Sequence, residues 1–555
     1  MSLIEHIVYR GKMTMKPMSF DFKSRRSMVV ADRGMVAASH PLAAQAGLDI
    51  LRQGGNAADA AITTAAVLNV TAPASTGVGG DCFALYFDAQ TAQITALNGS
   101  GRAPAALSLE DLRAQGFTTM PARSAYAVTV PGAVRGWEDL LKRHGRMTLG
   151  ETLADAIYYA REGFPVSPVV GASWASPASE TLLRQRPYAQ DYLPGGRVPA
   201  VGQRVRLPDL ARTLQAIADG GANAFYTGEI AASIVDTLQE YGGVMILEDL
   251  KGHRSTWHTP IETDYRGITV YECPPNGQGL VALQALNIAE GWALGDMAWS
   301  DPERLHLMIE AVRLAFADAH RYIADMAMSE VPVEALLDKT YAAERRHLVA
   351  PDRSMPSVSW GLPSPGSDTV YLSVVDGQRN ACSFINSLYM GFGSGIVAKG
   401  TGVFLQNRGA NFSLEPGHPN ALMPGKRPYH TIIPGMATRN GVLWASFGVM
   451  GGFMQPQGHF QVISAMVDDD LNPQEALDRP RFCLMDGDPQ GEVALEDGIP
   501  PATIARLAEL GHAVRPVSGA ARALFGGGQI IRHDAETGVL YGGSEPRQDG
   551  LVAAY

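Results

Sequence analysis

The feature that most limits how this chain can fold is a break in its pattern at residues 351–367. The stretch PDRSMPSVSWGLPSPGS has neither helical nor strand periodicity and reads as a linker. Directly behind it, residues 369–377 (TVYLSVVDG) form an apolar, β-branched strand pattern that closes at a turn signal. Thr369 stands at the mouth of that strand. If the bond between Asp368 and Thr369 were opened, Thr369 would become an N-terminus, and its own α-amine would be placed to act as base for its own hydroxyl. Plain β-propensity also puts threonines at strand starts, and an ordinary linker also looks like this.

Beyond the break the chain changes character. Short alternating strand patterns follow one another at 370–375, 381–387, 402–407, 442–447, 528–533 and 538–543, with glycine turns between them. Helical stretches interrupt near 458–469 and 501–512. Before the break helices are prominent. One starts near Pro41 and stops at Gly54-Gly55; a second, capped by Asn56, runs through an alanine-rich stretch. Residues 300–325 read as an amphipathic helix with Leu305, Ile309, Val312 and Phe316 on one face. Residues 1–30 read as an irregular lead-in. Antiparallel strands with helices segregated between strand runs predict an α+β layered fold.

Composition narrows the class. With 555 residues, 46% hydrophobic and 18% charged, the chain can build a large core. The net charge of −11, without any Lys/Arg-rich block, argues against nucleic acid or an anionic membrane as partner. No run of about 18 apolar residues reads as a membrane helix. Cys82, Cys273, Cys382 and Cys483 are too scattered for a disulfide framework and fit buried thiols in a reducing compartment. The N-terminus lacks the apolar core of a signal peptide, so a cytoplasmic location is expected. Met13, Met15 and Met18 are alternative starts.

Three local motifs carry chemistry. Gly451 and Gly452, in GVMGGFMQPQGH, lie between a strand and a helix, where exposed backbone N–H groups suit an oxyanion hole; a turn needing positive φ explains them equally well. Arg408, in QNRGANF, and Arg102, in NGSGRAP, are each able to grip a carboxylate through a bidentate fork, an argument that strengthens if both line one pocket. The run GFGSG at 391–395 lacks the dinucleotide fingerprint and reads as a tight turn. There is no HExxH, no paired-His metal spacing and no P-loop.

Taken in order, these pieces resemble the γ-glutamyltransferase family of N-terminal-nucleophile hydrolases. The resemblance runs from about Gly34 to the C-terminus. It is carried by residues 34–61, 131–137 (PGAVRGW), 274–280 (PPNGQGL), 369–377, 391–397, 425–428 (GKRP) and 450–452. It implies a four-layer αββα sandwich cut from one precursor. The large subunit is then 34–368 behind a lead-in at 1–33, and the small subunit 369–555. It implies Thr369 as nucleophile, Ser387 as the hydroxyl supporting its amine, and Gly451 and Gly452 as the oxyanion hole. No metal or organic cofactor is implied, and a dimer of processed heterodimers is one assembly open to it.

The substrate pocket departs from the family pattern. The family's arginine for the substrate α-carboxylate aligns with Ser100, with Arg102 two residues later. The serine pair for the same carboxylate aligns with His430 and Thr431. The Gln and Asp that hold the α-ammonium align with Arg408 and Asn411. An ammonium beside Arg408 would be repelled and would lack its counter-ion, whereas a lone carboxylate would be welcome. The loop before residue 425 is short, so a lid is not expected. This pattern is most like the oxamate amidohydrolase branch and partly similar to the glutaryl (cephalosporin) acylases. It implies hydrolysis of a small anionic amide. The alternatives are a γ-glutamyltransferase acting on glutathione, a glutaryl acylase, or an unprocessed protein that binds an anionic metabolite.

Overall fold

The computed structural model describes residues 26–358 and 368–555. Two seven-stranded antiparallel sheets lie face to face. The first runs Leu551–Ala554, Met35–Ala38, Asp368–Val375, Ala381–Tyr389, Asp81–Asp88, Gln93–Gly99, Thr256–His258. The second runs Val29–Ala31, Leu540–Ser544, Gly527–His533, Val442–Met450, Gly435–Arg439, Ile268–Glu272, Ile261–Tyr265.

Strand alternation builds the layers. In the first sheet Val36, Ala38, Val370, Leu372 and Val374 face outward onto the helices Pro41–Arg52 and Ala57–Thr71. Their alternates Met35, Ala37, Tyr371 and Val375 face inward and meet Met436 and Ile531 of the second sheet. The second sheet's other face, with Val270, Ala445, Phe447 and Val449, packs on the helices Gly279–Ala289, Pro302–Tyr322 and Met454–Asp468. A period of two on each strand thus yields three apolar interfaces and four layers, the αββα sandwich.

Local signals account for several boundaries. Asn56 caps its helix in a capping box with Asp59, and Pro41 opens the preceding helix. All four cysteines are buried and unpaired. Three expectations need revision. The lead-in ends in an edge strand, Val29–Ala31, too short for alternation to register in the sequence. The strand expected at 402–407 is only Val403–Phe404. The helix Pro302–Tyr322 has no solvated face along most of its length: Arg304, His306, Glu310 and Arg313 are buried too. Arg304 is neutralised there by both carboxylate oxygens of Asp469 at 2.8 Å. Most of the linker, with the residues that precede Asp368, lies outside the described residues. Among the described residues no helix is long and apolar enough to cross a membrane.

Candidate active site

Strand register lines up the first components. Asp368 pairs with Tyr389 and Val370 with Asn386, so Thr369 stands opposite Ser387 and Leu388 at a bulge. On the far side of the same strand, Ser387 pairs with Asp81. The Thr369 backbone, Ser387 and Asp81 therefore form a row across three neighbouring strands.

The facing sheet supplies the glycine turn. Ser373 Oγ donates to Ser446 Oγ at 2.6 Å, and the Tyr371 ring occupies the space a Cβ on Gly448 would need, 2.6 Å from Cε2. Two residues along one strand match two along the other. Continuing that step brings the Thr369 backbone level with Met450, immediately before Gly451 and Gly452. These glycines join Val442–Met450 to the helix Met454–Asp468 with φ of 131° and 61°, the left-handed side of the map. Among the described residues neither glycine N–H has an acceptor, while the Gly452 carbonyl takes a hydrogen bond from Gln278 Nε2 at 2.8 Å. Gln278 also donates to the Thr431 carbonyl at 2.7 Å, tying the glycine turn to the 430–431 segment.

Arg408 lies in a 3-10 turn, Arg408–Asn411, and is fully buried. Its Nη1 donates to Thr431 Oγ1 at 2.6 Å and its Nη2 to Ser387 Oγ at 3.1 Å. The guanidinium stacks 4.5 Å from the Tyr389 ring centre. Tyr389 itself adopts φ of 82°, uncommon for a bulky residue, and its N–H donates to Ser387 Oγ at 2.9 Å. Ser387 Oγ thus accepts two hydrogen bonds, which engages both of its lone pairs.

Behind Arg408 sits Asp81. Its Oδ1 accepts from Gln406 Nε2 at 2.9 Å and from the Gly101 N–H at 3.1 Å; its Oδ2 accepts from His430 Nε2 at 2.9 Å and lies 4.0 Å from Arg408 Nε. Burial pushes the Asp81 carboxyl up to about 7, against the pull of Arg408. Burial likewise lowers Arg408 to about 10, and His430 is held well below its usual value by burial and the nearby Arg408 and Arg427. His430 is therefore neutral, with Nε2–H donating to Asp81 and Nδ1 accepting from the Ile432 N–H at 3.3 Å.

Asn411 lines a cleft of about 500 Å³ that ends against Tyr429 and Phe453, the residues flanking His430 and Gly452. Its carboxamide is oriented by Tyr389 OH, which donates to Oδ1 at 2.5 Å, and by the Tyr429 carbonyl, which takes Nδ2 at 3.1 Å. The structure thus gathers Ser387, Arg408, Asn411, Thr431 and the glycine pair around the start of the Thr369 strand. Two expected residues stand apart. Arg102 pairs with Asp325 at 3.3 Å and with the Gly425 carbonyl at 3.0 Å, and among the described residues shares no contact with Arg408. His430 has both ring nitrogens committed, so it orients Asp81 and has no further donor for a substrate carboxylate.

The comparisons with known proteins follow the same lines. A sequence model of the Gamma-glutamyltranspeptidase family matches residues 43–555. The chain belongs to the γ-glutamyltranspeptidase family. With that family it shares the α+β fold of the N-terminal-nucleophile hydrolases and is an amide hydrolase. It is similar to the Glutathione hydrolase-like YwrD proenzyme of Bacillus subtilis, 39% identical over 534 residues covering 94% of this chain and 99% of that one. The Oxamate amidohydrolase proenzyme of Klebsiella pneumoniae is 36% identical over 535 residues, 95% of this chain and 99% of its own. Among solved structures, a cephalosporin acylase from Bacillus halodurans superposes with a TM-score of 0.89 at 47% identity, covering 97% of this chain and 99% of that one.

In this γ-glutamyltranspeptidase-family chain, three site residues escaped the sequence reading: Asp81, Gln278 and Tyr389. Asp81 has a signal, an ionisable residue opening a strand whose next six residues carry no charge. Gln278 lay inside a recognised motif but had no assignable partner. Among the described residues one group has the composition of a metal site: His306, Glu310 and His512. Its atoms are already engaged. His306 Nδ1 meets His512 Nε2 at 2.8 Å, His306 Nε2 donates to the Ala350 carbonyl at 2.8 Å, and Glu310 is paired with Arg313 at 2.7 Å. A guanidinium on the only carboxylate disfavours a divalent cation. The cluster instead pins residues 350–355, with Met355 held through both its N–H and its carbonyl.

Proposed function

We propose that this family member is an autoprocessed amidohydrolase acting on a small anionic amide of the oxamate type. Cleavage before Thr369 yields a large subunit ending at Asp368 and a small subunit beginning with the nucleophile. Thr369 Oγ attacks the amide carbonyl while its α-amine, titrating at about 7.7–8.0 when unperturbed, takes the proton. The Gly451 and Gly452 N–H groups receive the oxyanion; one such donor is typically worth about 2.7–4 kcal/mol. The amine or ammonia leaves, and water hydrolyses the acyl-enzyme. Ser387, with two donors into its oxygen, turns its hydroxyl proton toward the nucleophile's amine.

The observation that carries the substrate class is a buried cation, Arg408, in the same 3-10 turn as a neutral Asn411 that lines the cleft. This end of the site favours a carboxylate and offers an α-ammonium no counter-ion. Of the other residues the sequence nominates, Arg102 is paired with Asp325, and His430 acts through Asp81.

The deciding experiment measures turnover of oxamate, a γ-glutamyl anilide and a glutaryl amide side by side. Oxamate is hydrolysed fastest if the reading holds; faster turnover of the anilide replaces it with glutathione hydrolysis. A second reading, acylase activity on a larger amide, is favoured by the apolar cleft walls (Phe117, Met120, Phe412, Leu414) and by the likeness to the cephalosporin acylase. Preference for the glutaryl amide would establish it. A denaturing gel tests processing: a single band near 59.2 kDa argues for a binding protein instead. Thr369→Ala abolishes cleavage; wild-type-like cleavage of that variant would move the nucleophile elsewhere.

A further inference from the structure

Resting on the reading of Gly451 and Gly452 as the oxyanion hole, we infer that Tyr429 is a positioning residue: its ring is part of the cleft wall, and through Gln278 it ties what fills the cleft to the glycine turn.

The connection is a chain of hydrogen bonds with one direction. Tyr429 OH donates to Gln278 Oε1 at 3.1 Å, and Gln278 Nε2 donates to the Gly452 carbonyl at 2.8 Å and to the Thr431 carbonyl at 2.7 Å. Carbonyl oxygens only accept, so both Nε2 hydrogens are used and the carboxamide cannot be turned over. Its Oε1 therefore faces Tyr429, and among the described residues no other donor reaches that oxygen. Burial pushes the Tyr429 hydroxyl up, so it stays protonated and donates. Gln278 is fully buried, so loss of that hydroxyl leaves Oε1 unpaired.

The other end of the chain meets the substrate. Tyr429 is 5% exposed and lines the cleft. Its ring packs on His320, with centres 6.2 Å apart and planes 16° apart, and on Phe453, the residue after Gly452, at 5.8 Å. Two further residues of the cleft wall hold its main chain: Asn420 Oδ1 accepts from its N–H at 2.9 Å, and Asn411 Nδ2 donates to its carbonyl at 3.1 Å. A group bound in the cleft lies against this ring. The ring cannot shift without drawing along its hydroxyl and the carboxamide bonded to it. Gln278 in turn restrains the Gly452 carbonyl, and so anchors the turn that carries the oxyanion donors. Cleft filling is thereby felt in kcat more than in KM.

The test uses the processed enzyme with the primary amide and the anilide of whichever acyl group, oxalyl, glutaryl or γ-glutamyl, it hydrolyses fastest. Tyr429→Phe keeps the ring in the cleft wall and removes only the hydroxyl. On the amide, kcat is expected to fall about tenfold while KM changes by less than about twofold. The ratio of anilide to amide kcat falls about threefold or more against the wild type, because the ring no longer acts on the turn. In Gln278→Leu, adding Tyr429→Phe costs nothing further, since the chain is already cut. If Tyr429→Phe fails to process, Gln278→Leu alone is read: the same fall in the ratio supports the inference, and an unchanged ratio overturns it. Losses in the double variant that multiply, or a loss confined to KM or to thermal stability, overturn the inference alone. If Gly451→Ala, folded and processed, keeps its kcat, the oxyanion-hole reading falls and the inference falls with it.

Discussion

Gln278 Nε2 donates to the carbonyl oxygen of Gly452 at 2.8 Å from a fully buried position on the opposite side of the glycine turn. The bond holds the peptide plane after Gly452 and so restrains ψ at Gly452, whose own N–H lies in the preceding plane. Gln278→Leu keeps the volume and deletes the donor. We expect kcat to fall about 10- to 100-fold with KM changed much less, because a displacement near 1 Å in an oxyanion donor is felt chiefly in the transition state. Steady-state kinetics on oxamate check this.

Gly451 tolerates no side chain. Its φ of 131° lies where only glycine is comfortable, and an added Cβ would sit 3.1 Å from Gly526 Cα. Gly451→Ala therefore costs about 1–3 kcal/mol in backbone strain. If the turn relaxes to avoid it, the donors turn away and kcat drops by about 10²–10³. Thermal unfolding and kcat measured together separate the two effects.

Asn411→Asp supplies the missing anion at the cleft floor. Tyr389 OH still donates to it, but the hydrogen bond to the Tyr429 carbonyl is lost, at a cost near 1 kcal/mol. The ratio of γ-glutamyl anilide to oxamate turnover rises about tenfold or more. An unchanged ratio would place the ammonium-selecting group at another residue.

Buried histidines make the protein sensitive to acid. Burial lowers His253 and His512 to about 3 and His40 and His144 to about 4. The folded values lie below the unfolded value of about 6.5, so the unfolded chain binds more protons in this range. Their contribution is complete above pH about 6.5 and is lost as pH falls toward 4. Carboxylates raised by burial (Asp81, Asp139, Asp155, Asp191, Glu272, Asp318 and Asp486) work the other way, against lowered histidines that also include His258, His320, His418, His430 and His533. The unfolding midpoint at pH 5 should lie below that at pH 7.5 by calorimetry.

What could be read in the sequence was local. The Thr369 strand, the Asn56 cap and the Gly451-Gly452 turn are written in neighbouring residues whose backbone preferences need no distant partner. Arg408 was also visible, as a cation beside a neutral Asn411. Its neighbours were not, because Asp81 and His430 are 349 positions apart and meet only when two sheets close on each other. The same distance explains why the resemblance points His430 at a substrate carboxylate: its alignment with the family's serine pair is legible, but the carboxylate that claims its ring is not. Arg102 pairs with Asp325, which lies in a connection whose path no local pattern predicts.

The order of strands in the first sheet has a consequence for how the two pieces live together after a cut before Thr369. Asp368–Val375 is flanked by Met35–Ala38 on one side; Ala381–Tyr389 lies next to Asp81–Asp88 on the other; and the terminal strand Leu551–Ala554 closes on Met35–Ala38. Segments from before and after the cut are interleaved like the fingers of clasped hands. Neither piece owns a whole sheet, so each serves as the other's template, and separating them means unfolding both. Mixing the two polypeptides after separate synthesis should give little enzyme, whereas a nicked precursor should behave as one cooperative body.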